Sequence, residues 1–288
     1  MNRQQRLGWW LCLPAVGAML LVTAYPLAYA FWLSLYRYDL RFPEQRAFVG
    51  GANYASVLTS EVWWQALANT VLITAGSVMM ELMLGFALAL LMHRTLFARR
   101  TVRTAILVPY GIITVVAALA WKFAFDPTTG FINALLNLDQ PWLNERWSAF
   151  CVIIATEVWK TTPFMALLLM AGLTLVPQDL LQAARVDGAS RIQRFFQITL
   201  PLMKPAVAVA LLFRTLDAFR IFDTVFVQTR GAHGTETVSI VAYHTLIARL
   251  NLGLGSAVSV LIFAGVSLIA IGFIKGFKAP LIHREDSQ

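Results

Sequence analysis

Residues 177–205 read PQDLLQAARVDGASRIQRFFQITLPLMKP, a polar stretch flanked by two long apolar runs, 149–175 and 202–227. Pro177 suits a helix start, since its missing N–H is one that a first turn leaves unpaired, and Asp179 puts negative charge at the positive end of the helix dipole. Asp187-Gly188 is a turn signal, because glycine takes positive φ without steric cost. A first short helix therefore ends at Val186 or Asp187 and a second restarts at Ala189. In the second, Ile192, Phe195, Phe196 and Thr199 fall at i, i+3, i+4 and i+7, Arg191, Arg194 and Gln197 take other faces, and Pro201 stops it. Such a helix-turn-helix serves either as a plug that docks into another protein or as an interfacial helix on lipid. Periodicity leaves both open.

Outward from this stretch the chain is apolar. Of 288 residues, 58% are hydrophobic and only 13% charged, against about 25% charged in soluble domains; mean hydropathy is +0.66. The composition predicts an integral membrane protein. The net charge of +8 does not point to nucleic acid, because the basic residues form no stripe with interleaved aromatics and gather in short segments between apolar runs. Cys12 and Cys151 fall in different spans near opposite membrane faces and are expected to be free thiols.

Six spans are expected, at about 7–31, 66–92, 105–125, 149–175, 202–227 and 254–277, in one all-α, polytopic transmembrane domain with a helix-turn-helix loop at 177–205. The first run exceeds the ~7 to 15 residues of a signal-peptide core and is read as a spanning helix. Arg3, Arg6, Arg94, Arg99, Arg100, Arg103, Arg185, Arg191, Arg194, Lys204, Lys275, Lys278 and Arg284 lie on one side. Arg37, Arg41, Arg46, Arg146, Arg230 and Arg249 lie on the other. Thirteen against six puts the polar stretch and both termini in the cytoplasm, with the Trp63, Trp64, Trp142 and Trp147 belt outside.

The chain has no G-x-x-x-x-G-K-[ST] phosphate cradle, no H-E-x-x-H and no G-x-S-x-G around a serine. It is therefore expected to hold no metal or cofactor and to catalyse no covalent step. Energy for any work must come from a partner. The informative polar residues lie inside the spans. At ~1.5 Å per residue, Glu81, Glu157, Lys160, Arg214 and Asp217 fall at mid-membrane, while Arg220 and Asp223 approach the outer face. Each would cost ~2.5 kcal/mol or more in lipid, so each must face protein or a watery cavity. Arg214, Asp217, Arg220 and Asp223 repeat at i+3, and ~100° steps turn that ladder half-way round its helix, so it is not expected to face one cavity. The plainer alternative is that these charges are pairs that lock helices together.

Gln182-Ala183-Ala184, Gly188 and, after nine residues, Ile198-Thr199-Leu200-Pro201 resemble the EAA loop of binding-protein-dependent ABC importer permeases. The resemblance implies that Gln182, Ala183, Ala184, Asp187, Gly188, Ala189 and Arg191 form a coupling helix in a groove of an ATP-binding subunit. One position departs from the pattern: Gln182 stands where the family has glutamate. Phe48-Val49-Gly50, Asn53-Tyr54, Asn69-Thr70, Pro109, Trp121-Lys122, Phe125-Asp126-Pro127, Trp159-Lys160, Thr162-Pro163-Phe164 and Phe222-Asp223 resemble the carbohydrate branch of that family, the maltose and glycerol-phosphate type. The implied partners are a second homologous permease, two ATP-binding subunits, an extracytoplasmic sugar-binding protein and lipid, with no nucleic acid. The implied substrate is a sugar of the disaccharide class to which trehalose belongs. A sugar path needs hydrogen-bonding groups and an aromatic face, and Asn69, Glu81, Glu157, Trp159, Lys160, Arg214 and Asp217 are its candidates. An ion-coupled secondary transporter, which would show broken helices, and a non-transporting scaffold are the alternatives.

Overall fold

The computed structural model describes residues 3–94 and 99–282; His283 and Arg284 lie outside them. The order is α1 (Arg3–Ser34), β1 (Tyr36–Arg37), β2 (Ala47–Phe48), α2 (Ala52–Leu58), α3 (Glu61–Arg94), α4 (Arg99–Gly111), α5 (Thr114–Ala124), α6 (Phe131–Leu136), α7 (Arg146–Thr174) and α8 (Gln178–Val186), then α9 (Arg191–Arg194), α10 (Leu200–Leu202), α11 (Lys204–Ala218), α12 (Asp223–Gln228), α13 (Val238–Tyr243) and α14 (Leu252–Ile282). The two short strands form one antiparallel pair. The fold is all-α, as expected.

The chain divides into two compact units. In the first, Met1–Trp64 with Val241–Gly265, Asn53 Nδ2 donates to the carbonyls of Ser34 and Tyr36 at 2.7 and 2.9 Å, tying α2 to the hairpin. The Arg46 guanidinium lies 4.7, 5.0 and 4.8 Å from the ring centres of Trp32, Tyr36 and Tyr38. In the second unit, Gln65–Ile240 with Val266–Gln288, α3, α7 and α11 enclose a core that includes Val78, Met165, Leu169, Met203 and Ala210. A Cβ at Gly172 would sit 2.5 Å from that of Ala206, so a small residue is what lets α7 and α11 close up.

Among the described residues, four helical segments are long and apolar enough to cross a membrane: Cys12–Ser34, Glu61–His93, Arg146–Thr174 and Leu252–Gly276. Of the other two expected spans, 105–125 is bent within its length and 202–227 begins at a bend. Thr104–Gly111 and Thr114–Ala124 meet at 93°, and Arg191–Leu202 meets Lys204–Gln228 at 70°. Pro109, lying inside α4, lacks the N–H that would hold its own turn, and the chain leaves the helix within three residues.

Pro201 does not stop the second loop helix as expected. The helical path runs on to Leu202 because Phe195–Thr199 widen into a π-turn, which keeps the carbonyl four residues before the proline clear of its ring. The corner falls instead at Met203, and Pro205 sits in the first turn of α11 where no N–H is needed. That loop helix also starts two residues later than expected, at Arg191: Ser190 Oγ accepts from Gln193 N–H at 3.2 Å while Gln193 Oε1 accepts from Ser190 N–H at 2.8 Å, a capping box.

Candidate functional site

The 219–222 stretch decides what the site looks like. α11 ends at Ala218 and α12 starts at Asp223; between them Arg220 N–H turns back to the Asp217 carbonyl and Ile221 N–H to that of Ala218. Non-helical backbone at membrane depth persists only where it is buried in protein or lines a watery cavity. A cavity of about 450 Å³ opens there, within the size range of small-molecule sites. α7 contributes Glu157, Lys160 and Thr161 to its wall, at i, i+3 and i+4 on one face. Asp217, Arg220, Phe222, Asp223 and Thr224 come from the break and its flanks, and Tyr110 and Thr114 from either side of the α4–α5 corner.

The charge ladder does not all face one cavity, as expected, but more of it does than the step count implies. Asp217, Arg220 and Asp223 all reach it, because the helix on which the ~100° steps were counted is interrupted between them. Arg214 alone turns away.

Behind the wall stands a buried brace. Arg214 Nε and Nη2 donate to the two oxygens of Glu81 at 2.6 and 2.9 Å, a two-pronged fork. Arg214 and Glu81 are 1% and 0% exposed. Nη1 of the same guanidinium donates to Asp217, whose side chain is 73% exposed. Thr161 Oγ1 adds a 2.7 Å bond to Glu81 Oε1, and Thr224 Oγ1 donates to Glu157. One arginine thus holds α3 to α11 and aims Asp217 at the cavity.

Of the residues singled out from the sequence, Glu157, Lys160 and Asp217 meet at the cavity, and Lys160 Nζ lies 5.7 Å from the Tyr110 ring centre. Glu81 and Arg214 brace it. Trp159 packs against Trp121, centroids 6.0 Å apart, and is not in the lining. Asn69 lies elsewhere: its Nδ2 donates to the carbonyls of Gly234 and Glu236 at 2.9 and 2.8 Å and its Oδ1 accepts from Arg146 at 3.1 Å. With every polar atom taken by protein, it is a clasp for the 234–236 loop. Tyr110, Thr114, Thr161, Arg220, Asp223 and Thr224 were not among the path candidates. Thr161 was legible as the i+4 partner of Glu157, and the others depend on the two corners.

The polar loop is built as its residues require. Gly188 has φ +81°, Ala189 N–H bonds to the Ala184 carbonyl at 2.9 Å and Gly188 N–H to that of Arg185 at 3.2 Å, the paired bonds of a Schellman stop. Gln182, Ala183, Asp187 and Gly188 are exposed, Ala184 and Ala189 half-buried, and Arg191 exposed in the first turn of α9. Val186 is 87% exposed, an apolar side chain presented outward at the tip.

Residues 81–279 match the family described as binding-protein-dependent transport system inner membrane component. The chain belongs to that family. It is 54% identical over 276 residues, 96% of this chain and 90% of the other, to the trehalose transport system permease protein SugA of Mycobacterium tuberculosis. Identity to the trehalose/maltose transport system permease protein MalF of Thermococcus litoralis is 39%, covering 95% and 94% of the two chains. The fold matches a chain from the crystal structure of a bacterial ABC transporter for import of the acidic polysaccharide alginate, with TM-score 0.80, 20% identity and 96% of both chains covered. Membership of this inner-membrane family settles the polytopic membrane reading. The broken helices reserved above for a secondary transporter therefore occur here in an ABC importer permease.

Proposed function

We propose that this chain is one of two membrane-spanning subunits of an ATP-driven carbohydrate importer, and that the cavity at the α11–α12 break is part of the route of a disaccharide such as trehalose. The observation that carries the reading is the helix break opening onto a cavity with two cations, three carboxylates, two threonines besides Thr224, and the rings of Tyr110 and Phe222. Groups of both hydrogen-bonding senses beside an aromatic face suit a neutral polyol better than an ion. The names of the similar proteins support the same substrate class. In this reading a second, homologous permease completes the path, two ATP-binding subunits take the loop residues Gln182, Ala183, Ala184, Asp187, Gly188 and Ala189 into their grooves, Arg191 lines a separate groove with Arg194, and an external binding protein delivers the sugar. Closure of the ATP-binding subunits rocks the spans between inward-open and outward-open states.

The test is reconstitution of the full complex in proteoliposomes. Disaccharide-loaded binding protein should raise ATP hydrolysis, and uptake should require ATP. Uptake that proceeds without ATP under an ion gradient would overturn the proposal.

Both termini and the loop are assigned to the cytoplasm by the thirteen-to-six excess of Lys and Arg. In a background lacking Cys12 and Cys151, Ser190→Cys should react with an impermeant thiol reagent only from the cytoplasmic side and Ala232→Cys only from outside. The reverse pattern would put the loop beyond reach of any ATPase.

A further inference from the structure

A second cavity, of about 460 Å³, lies apart from the sugar route, between the last turns of α3 and α7 and the loop helices. Its walls divide by chemistry. Leu90, Leu173, Val176, Leu181 and Phe195 give it an apolar floor, and Arg191, Arg194 and His93 are its basic residues. Among the described residues neither arginine pairs with a carboxylate. Arg194 Nη1 reaches the Leu181 carbonyl at 3.4 Å, but its Nε is shut off from solvent and has no hydrogen-bond partner. A buried guanidinium N–H left unpaired is costly and marks a place where an acceptor belongs.

We propose that this groove binds the phosphate of an anionic phospholipid, with Arg191 and Arg194 on the headgroup and the Leu90–Leu173–Phe195 floor under the start of an acyl chain. Depth supports a lipid over a free anion. His93 and Leu173 sit in the closing turns of two helices long and apolar enough to cross the bilayer, which is the level at which phosphate headgroups lie. The apolar floor would be wasted on inorganic phosphate. The lipid would lie against the back of the helix that follows Gly188, on the same hinge whose front, by the proposal above, meets the ATP-binding subunit. The headgroup and the ATPase would thus act on one movable element, and anionic lipid would set how firmly it is held.

The assembled transporter, placed in nanodiscs of equal parts phosphatidylglycerol and phosphatidylcholine and analysed by native mass spectrometry, should retain phosphatidylglycerol with a preference of roughly tenfold. Arg191→Gln/Arg194→Gln should abolish the preference, and Arg191→Lys/Arg194→Lys should keep most of it. A photoactivatable phosphatidylglycerol on the unaltered complex should crosslink within 90–93 or 173–199, a readout that does not depend on whether the glutamine variant assembles. Unchanged preference in the glutamine variant, or crosslinks confined to other segments, overturns the site. Displacement by millimolar inorganic phosphate, or loss of crosslinking on binding of the ATP-binding subunits, overturns lipid as the occupant in favour of a free anion or of protein.

Discussion

Replacing Arg214 by alanine is expected to remove most of the assembled transporter from the membrane. Glu81 would keep its charge at 0% exposure with both guanidinium bonds gone. Breaking a buried pair from one side costs about 3–5 kcal/mol, or roughly 150- to 4,000-fold in an equilibrium. Among the described residues the Thr161 hydroxyl is the remaining donor to that carboxylate. Replacing both members by apolar residues of like volume is often close to neutral, so Glu81→Leu/Arg214→Met should recover the complex, as measured by the amount co-purifying with the ATP-binding subunits. A single alanine variant that assembles normally would refute the brace. Transport by the rescued double variant then reads the second job of Arg214. If the guanidinium also aims Asp217, uptake stays low although assembly returns, and Asp217→Asn, at a solvated position, should lower uptake without touching assembly. Full uptake by the double variant would make the pair purely structural.

The second large effect is expected at Gly188. No atom lies within 4 Å of where its Cβ would be, so any effect of substitution comes through the backbone. Proline cannot take φ +81°, whereas asparagine visits the left-handed region readily and alanine pays about 1–2 kcal/mol there. Uptake should therefore fall in the order asparagine, alanine, proline, with Gly188→Pro losing at least an order of magnitude while the protein still inserts and the ATP-binding subunits still turn over ATP. If Gly188→Pro imports normally, the loop is not the coupling element.

The contrast between these two sites shows what a sequence can disclose. Gly188 was legible because a left-handed stop is local: one dipeptide between two periodic segments suffices, and the Schellman bonds to Ala184 and Arg185 follow from it. The Ser190–Gln193 capping box was equally local, written as S-x-x-Q, and its reading would have moved the helix start by two residues. The mid-membrane charges were legible as a set, since none can face lipid, but not as a circuit. Spacing along one helix suggested Arg214 with Asp217, and only the packing of α3 on α11 brings in Glu81, 133 residues away. The α11–α12 break was hidden for a different reason. No proline or glycine falls within 219–222, so nothing local announces the interruption that brings Arg220 and Asp223 to the cavity with Asp217. Asn69 was read by residue type, as a hydrogen-bonding group near a path, whereas the loop carbonyls of Gly234 and Glu236 saturate it.

That clasp also sets a timetable. Asn69 and its two carbonyl partners are separated by 165 and 167 residues, and a ribosome adding 5–20 residues per second needs roughly 8 to 33 s to span such a gap. Throughout that interval α3 exists without the loop that will occupy its amide, so its early neighbours must be water, the insertion machinery or the N-terminal turn of α7, whose Arg146 is made first. The 234–236 loop is thus a late stitch, and a chain truncated ahead of Gly234 would carry its first-made polar residue of that clasp into the membrane region with no carbonyl to receive it.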